Sequence, residues 1–319
     1  MAMGELIVIA LGGNALMRRG EKGSFEEQYR NVGRTAVFLA DLVEAGYKLV
    51  ITHGNGPQVG ATLLRHDAGM KLHNIPPFPM DACGAETQGF IGYAIQQNLR
   101  NELKRRGIDK YVITVVTRVI VDKDDPAFKN PTKPIGPFYS KEEMDKIKAE
   151  HPEYVFAEDK ARGGWRRVVP SPDPKIIAER FAIRNLVDAG FIVVASGGGG
   201  IPIIEENGRA QGVEAVIDKD LAGEKLAELI GASRFIILTD VDGAYINYGK
   251  PDQKKLERVS ASEAKRYLNE GHFGSGSMLP KVQACIRFVE SGGKEAIIAE
   301  LSQLKEAIQG KAGTHILPG

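Results

Sequence analysis

In the segment Leu6-Ile-Val-Ile-Ala10-Leu-Gly-Gly13-Asn14, a short run rich in β-branched residues is followed directly by two glycines. Such a run predicts a buried strand, and glycines after it let backbone N–H groups approach a ligand closely. The pattern recurs at residues 48–52 before His53-Gly54-Asn55-Gly56, and at residues 191–195 before Ser196-Gly197-Gly198-Gly199-Gly200. Because the carboxyl ends of parallel strands share one edge of a sheet, we predict that the three loops line a single crevice.

Helical periodicity between the apolar runs predicts an α/β fold. Ser24 and Glu27 have the spacing of a capping box, apolar residues then follow at helical spacing, and Gly46 ends the first helix. Similar punctuation predicts helices at residues 173–190, 219–231 and 260–271, and further strands are predicted at 111–117, 235–238 and 296–298. This alternation predicts a mostly parallel sheet covered by helices on both faces.

Residues 122–174 interrupt this alternation. Prolines and charged residues replace the Val/Ile runs, and prolines forbid a regular core helix or central strand over most of the segment. A long ordered excursion is more often functional than idle, so we predict a lid or a small subdomain. The prolines are Pro126, Pro131, Pro134, Pro137, Pro152, Pro170, Pro172 and Pro174.

The bulk composition argues against several classes of protein. A formal net charge of +1 argues against electrostatic binding of nucleic acid or of an anionic membrane. The two cysteines, Cys83 and Cys285, lack CxxC or Cys/His spacing and the six histidines lack metal spacing, so neither a disulfide nor a zinc site is indicated, and we predict no metal-ligating side chains. The cysteine usage favours a reduced cytoplasm, and because the start lacks a signal peptide and no apolar run could span a bilayer, we expect a soluble protein.

The glycine clusters allow two interpretations. Any one of them alone is most simply a tight turn, whereas three at one sheet edge favour a polyanionic ligand. The dinucleotide fingerprint GxGxxG fails, because Val59 occupies the last position after Gly54-Asn55-Gly56, and no stretch matches GxxxxGK[ST]. Another kind of nucleotide site is therefore needed.

Lysines near these loops are candidates for catalysis, because a transferring phosphoryl group needs fixed cations. Lys219 opens a predicted helix, where a cation opposes the helix dipole, and Lys281 also lies at a helix start. Lys133 projects from the proline-rich insertion. Each lysine alone could be a solvated surface charge. Asp220 is predicted to hold Lys219, and Asp218 or Asp220 could also cap the helix.

Four blocks of residues, 10–15, 53–58, 196–202 and 214–222, resemble the carbamate kinases of the amino acid kinase family, and the resemblance extends from Leu6 to residues 313–316. It implies an open three-layer αβα sandwich with a mostly parallel central sheet, formed by a single domain over residues 1–319. Residues 1–215 would form the half that holds carbamate or carbamoyl phosphate, including a protruding subdomain at 122–174. Residues 216–319 would bind the nucleotide, and the chain would form a homodimer.

The resemblance also implies roles for individual residues. The catalytic residues would be Lys133, Lys219, Lys281 and Asp220, with Mg²⁺ bridging the phosphates of ATP or ADP. The residues that would meet the substrate and the phosphoryl group are Gly12, Gly13, Asn14, Gly54, Asn55, Gly56, Gly198 and Gly199. Those on the nucleotide side would be Asp218, Asp240, Tyr245, Gly276 and Met278.

One position bears on the choice of substrate. Acetylglutamate kinases carry lysine where this chain has Ala10, so here Lys133 is the expected replacement cation. The alternatives are a kinase for another small acid, such as an N-acyl amino acid, and a non-catalytic sensor of the same fold. Retention of all three lysines argues against the sensor. A dehydrogenase is disfavoured because this chain lacks the dinucleotide fingerprint GxGxxG.

Overall fold

A mostly parallel eight-stranded sheet forms the centre of the chain, which the computed structural model describes over residues 4–18, 20–159, 163–274 and 278–319. Every residue of its strand Leu6–Leu11 is buried, as expected for a strand covered on both faces. In chain order the strands are β1 (Leu6–Leu11), β2 (Lys48–His53), β3 (Val112–Thr114), β4 (Arg118–Val121), β5 (Lys133–Tyr139), β6 (Val155–Glu158), β7 (Trp165–Val169), β8 (Pro174–Ile177), β9 (Ile192–Val194), β10 (Ile201–Glu206), β11 (Arg209–Gly212), β12 (Arg234–Thr239), β13 (Tyr245–Ile246), β14 (Lys254–Lys255), β15 (Arg258–Ser260), β16 (Glu295–Glu300) and β17 (Thr314–Leu317).

The helices follow the strands in the alternation that the sequence predicts. Ser24 and Glu27 form the predicted capping box at the start of the first helix, which ends just before Gly46. The helices are α1 (Phe25–Glu44), α2 (Gly56–His73), α3 (Met80–Arg105), α4 (Lys141–Glu150), α5 (Arg180–Asp188), α6 (Lys219–Leu229), α7 (Ala261–Asn269), α8 (Met278–Glu290) and α9 (Leu304–Ile308). Among the described residues, no helix has the length and apolar character needed to span a membrane.

The central sheet has the strand order β15-β17-β16-β12-β1-β2-β9-β3, and each neighbouring pair is parallel except β16 and β17. Successive residues of β1 face opposite sides of it. Val8 and Ala10 pack in a buried cluster with α6 and α8, whereas Ile7 and Ile9 pack in another with α1 and α3. Helical layers therefore cover both faces, which confirms the predicted αβα architecture.

Two strand and helix predictions need correction. The helix predicted for residues 173–190 begins only at Arg180, because Pro174–Ile177 forms β8, an edge strand that pairs antiparallel with β4. Proline is tolerated at the start of an edge strand, so its presence did not identify a helix start there. The strand predicted for residues 111–117 is shorter, Val112–Thr114, and the chain then enters β4 in a separate four-stranded sheet.

The insertion contains a small sheet of its own, with strand order β5-β7-β6, and the helix α4. Pro134 and Pro137 lie on β5, which is an edge strand, whereas the central strand β7 contains no proline. This sheet rests on α2 through backbone contact: a Cβ atom added to Gly60 would lie 2.0 Å from Cα of Gly136. Lys71 on α2 also pairs with Glu150 on α4 at 2.6 Å.

Candidate active site

The three glycine loops lie at one edge of the central sheet, as predicted. They follow β1, β2 and β9, which are parallel neighbours in the sheet. The amide of Gly54 donates to the carbonyl of Leu11 at 3.3 Å, and the hydroxyl of Thr52 donates to the carbonyl of Ser196 at 2.8 Å. Each of these hydrogen bonds joins a loop to the end of the neighbouring strand.

Glycine is required in these loops for close packing as well as for access by a ligand. A Cβ atom on Gly12 would lie 2.5 Å from the carbonyl oxygen of Leu238, at the end of β12. Gly198 has a φ of +67°, and a Cβ there would lie 2.2 Å from the side-chain nitrogen of Asn55. Gly199 similarly abuts the carbonyl of Ile217, which brings its loop against the segment before Lys219. The loops therefore approach the start of α6.

The three candidate lysines converge on two aspartates at the start of α6. Asp220 binds Lys219 at 2.5 Å through one carboxylate oxygen and Lys281 at 3.0 Å through the other. Asp218 binds Lys133 of the insertion at 2.5 Å. Lys219 also touches the second glycine loop, since a Cβ on Gly54 would lie 3.0 Å from its Cδ. Residues from distant parts of the chain therefore form one cluster beside the glycine loops.

Asp218 has two structural functions at once. One oxygen, Oδ1, accepts the backbone amides of Asp220 and Leu221 at 2.9 and 3.4 Å, so Asp218 is the N-cap of α6. The other oxygen, Oδ2, accepts the ammonium group of Lys133. Of the two aspartates that the sequence offered as the cap, Asp218 is thus the one that caps α6, and it also pairs with Lys133.

Burial strengthens the charge pairing around Asp220. Asp220 is 2% exposed and Lys281 7% exposed. Burial alone would raise the pKa of Asp220, but the two ammonium groups hold that pKa far below its usual value. Burial lowers the pKa of Lys219 against the opposing effect of Asp220, whereas contact with Asp220 overcomes burial and raises the pKa of Lys281. The ion pairs of Asp218 and Asp220 therefore fix three ammonium groups beside the loops.

His53 is not suited to proton transfer near neutral pH. Burial lowers its pKa, the carbonyl of Gly54 opposes this shift and the charge of Lys219 adds to it, so the pKa lies at about 4. Its Nδ1 atom lies 3.0 Å from that carbonyl, and the ring packs against Gly197. His53 is therefore a neutral packing residue.

Two polar side chains on α3 support the loops and were not singled out from the sequence. The amide nitrogen of Asn55 donates to the hydroxyl of Thr87 at 2.8 Å. Gln88 donates to the carbonyls of Thr117 and Gly197 at 3.1 Å and accepts the amide of Thr117. Thr87 and Gln88 are both buried, and buried polar residues on a helix are the feature that could have indicated them. In contrast, Gly13 and Asn14 in the loop after β1 are exposed.

The residues predicted for the nucleotide side lie in the second half of the chain. Asp240 directly follows β12, and its charge contributes to the raised pKa of Lys281, so it lies near the lysine cluster. The hydroxyl of Tyr245 donates to Asp242 at 2.7 Å, and Asp242 also pairs with Lys255. Met278 opens α8, the helix that carries Lys281. Gly276 lies outside the described residues.

Glu224 lies one turn after Asp220 on α6 and is predicted to make stability depend on pH. Burial raises its pKa, Glu228 adds to this shift and Lys225 and Arg287 oppose it, so the pKa lies at about 7 instead of 4.5. Between pH 4.5 and 7 the folded chain thus binds more protons than the unfolded chain, and stability falls as pH rises. We expect Glu224→Gln, which cannot ionise, to gain about 3 kcal/mol of unfolding free energy relative to the natural chain between pH 4.5 and 8. Denaturant titrations across this range measure the difference, and a constant difference would contradict the assignment.

Comparisons with known proteins agree with this geometry. The amino acid kinase family model matches residues 5–300. The chain is 61% identical over 312 residues to the carbamate kinase of Thermococcus kodakarensis, covering 98% of each chain. It is 58% identical over 316 residues to that of Pyrococcus horikoshii, covering 99% of this chain and 100% of the relative. The solved carbamate kinase from Giardia lamblia bound to AMP-PNP superposes with a TM-score of 0.92 at 45% identity, with both chains fully covered.

Proposed function

The chain belongs to the amino acid kinase family, and we propose that it transfers a phosphoryl group reversibly between ATP and carbamate, yielding ADP and carbamoyl phosphate. The relatives named carbamate kinase, which match almost the entire chain, support this reaction. The observation that carries the proposal is the convergence of Lys133, Lys219 and Lys281 on two aspartates beside the glycine loops. Fixed ammonium groups of this kind can stabilise the charge on a phosphoryl group in transfer.

No general base is needed for this reaction. The nucleophilic oxygen of carbamate is already ionised near neutral pH, so the protein has only to align the reactants and neutralise charge. The depressed pKa of His53, about 4, agrees with a mechanism that does not use this imidazole. Catalysis in this proposal rests on fixed cations and backbone amides.

Each charged residue has a distinct part in the proposal. Lys133, Lys219 and Lys281 neutralise the transferring phosphoryl group, while Asp220 holds the last two lysines and Asp218 holds the first. Amides of the loops contact substrate and phosphoryl oxygens, and Asn55 is oriented by Thr87. The loop residues assigned to this contact are Gly12, Gly13, Asn14, Gly54, Asn55, Gly56, Gly198 and Gly199.

We propose that Mg²⁺ enters with the nucleotide as part of the substrate. Both carboxylate oxygens of Asp220 already accept ammonium groups, and those of Asp218 accept Lys133 and the α6 amides. These carboxylates therefore suit the positioning of lysines better than direct metal ligation. Mg²⁺ is commonly held through substrate phosphates with few protein ligands, and there it would offset phosphate charge.

The nucleotide is assigned to residues 216–319 and the acceptor to residues 1–215, including the insertion at 122–174. The superposition with a kinase bound to AMP-PNP supports a nucleotide site in this fold. Asp218, Asp240, Tyr245, Gly276 and Met278 are the proposed nucleotide-side residues. The cytoplasmic location inferred from cysteine usage stays a prediction.

A homodimer is also proposed. The edge strand β3 is short, and exposed apolar side chains surround this edge of the sheet. A second copy of the chain would cover them, as expected for an apolar surface of this kind. The side chains are Tyr93, Tyr111, Val116 and Phe181.

The second candidate function is a kinase that phosphorylates another small acid, such as an N-acyl amino acid. Ala10 is fully buried in an apolar cluster, so the first strand supplies no cation at this position, unlike the lysine expected in acetylglutamate kinases. Lys133, delivered by the insertion, takes that place in our proposal. The geometry therefore favours carbamate over an N-acyl amino acid.

An ATP-forming assay distinguishes these functions. With ADP, magnesium and carbamoyl phosphate, we expect kcat/KM at least tenfold above that with acetyl phosphate or an N-acyl amino acid phosphate, because the pocket is proposed to fit the carbamoyl group. Formation of ATP is followed by a coupled luminescence reaction. Equal use of the phosphates would overturn the substrate assignment, and nucleotide binding without any transfer would favour the sensor.

A further inference from the structure

We propose that His66, Cys83 and Glu86 bind one zinc-class divalent ion between α2 and α3. One ligand atom from each side chain lies within 4.8 Å of the other two. None of these residues has a part in the phosphoryl transfer proposed above. The site is therefore independent of the magnesium that accompanies the nucleotide.

The positions of the three residues on their helices make the site possible. Cys83 and Glu86 are three residues apart on α3 and so share one face, while His66 comes from the facing helix α2. The Nε2 atom of His66 already lies 3.2 Å from Oε2 of Glu86. Tetrahedral zinc with ordinary bond lengths needs ligand atoms about 3.5 Å apart. Modest side-chain rotations would therefore close the cluster around an ion.

The donor atoms select the kind of ion. A thiolate, an imidazole and a carboxylate suit Zn²⁺, Co²⁺ and Cd²⁺, whereas Mg²⁺ and Ca²⁺ prefer oxygen ligands alone. Binding converts the Cys83 thiol to a thiolate, and its proton passes to solvent. Three protein ligands leave the fourth tetrahedral position for a water molecule.

The residues around His66, Cys83 and Glu86 leave a path for an ion from the surface and hold two of the proposed ligands in place. Cys83 is buried, while the side chain of Glu86 is 43% exposed, so an ion would reach the thiol from the surface. The ring of Phe78 lies 4.8 Å from the imidazole of His66, centroid to centroid, and limits its rotation. The carbonyl of Phe78 accepts the thiol of Cys83 at 3.6 Å. One residue therefore contacts two of the three proposed ligands.

The two helices that carry the site are also those that carry and support the proposed substrate loop. Glu86 precedes Thr87, whose hydroxyl supports Asn55. The helix α2, which carries His66, begins at Gly56 in the same loop. An ion joining α2 to α3 would thus link the helix that begins in this loop to the helix that supports it.

Cobalt spectroscopy on the full-length, nucleotide-free protein tests the proposal after chelator treatment. We expect one equivalent of Co²⁺ to bind with a thiolate-to-cobalt charge-transfer band in the near ultraviolet, and Zn²⁺ to abolish the band by displacement. The band should disappear in Cys83→Ser and persist in Cys285→Ser. His66→Gln and Glu86→Gln should weaken Co²⁺ binding at least tenfold, whereas His73→Gln, an exposed histidine on the same helix, should not.

Several results would overturn the proposal. These are a saturated protein without the thiolate band, a band that survives in Cys83→Ser, and equal Co²⁺ affinities for His66→Gln and His73→Gln. The side chains of His66 and Glu86 are partly exposed, so their variants are expected to fold. These two variants therefore keep the test decisive if Cys83→Ser fails to fold. Circular dichroism of each variant checks folding.

Discussion

Replacing Lys133 by alanine is expected to lower kcat about 10²- to 10³-fold while leaving the affinity for ATP and ADP nearly unchanged. Lys133 comes from β5 of the insertion and approaches the cluster through Asp218. Since the first strand carries Ala10, removal of Lys133 deletes the cation proposed to act on the acceptor side. The nucleotide side keeps Lys219 and Lys281 with their partner Asp220.

Steady-state kinetics and nucleotide titration of the same preparations measure these two effects separately. Lys141→Ala is the matched control, because Lys141 belongs to the same insertion and is exposed at the start of α4. It should leave both kcat and nucleotide affinity unchanged. Normal turnover in Lys133→Ala would remove the insertion from the mechanism.

Replacing Asp220 by alanine is expected to reduce both activity and stability. The change leaves Lys219 and Lys281 without the carboxylate that binds both of them in a buried position. Removing one partner of a buried ion pair typically lowers the free energy of unfolding by roughly 3–5 kcal/mol. We expect kcat to fall by more than about 10²-fold as well, because the lysines lose their alignment.

The loss of stability in Asp220→Ala should depend on pH in a defined direction. The pKa of Asp220 is depressed in the folded chain, so its stabilising contribution is complete above its unfolded value of 3.8 and declines as pH falls below it. Denaturant unfolding at pH 7 and below pH 3.8 measures the difference. Asp240→Ala, an exposed aspartate beside the same cluster, is the control and should change stability by less than about 1 kcal/mol. An equal effect of the two substitutions at pH 7 would refute the proposed burial and pairing of Asp220.

Local patterns made much of the fold predictable. The apolar runs of β1, β2 and β9 are short, rich in β-branched residues and followed by glycine, and these features depend on neighbouring residues only. The same holds for α1, whose capping box is contained in Ser24 and Glu27. The shared edge of the glycine loops followed from parallel topology, so the approximate place of the site was predictable too.

Features that depend on distant partners were not predictable in this way. β8 forms because β4 is available to pair with it, which outweighs the local pattern expected for a helix. Thr87 and Gln88 support the loops from α3, far from any glycine motif. His66 and Cys83 lie on separate helices, so spacing along the chain gave no indication that they meet.

The double use of Asp218 links formation of a helix end to assembly of the site. If the first turn of α6 frays, the carboxylate that fixes Lys133 moves away, and Asp220 in the same turn moves with it. The cluster is therefore expected to form cooperatively, with few molecules holding only some of its lysines in place. A chain in which this turn has unfolded would lose activity altogether and not merely select its substrate less well. Loss of activity on heating should therefore follow the unwinding of this single turn.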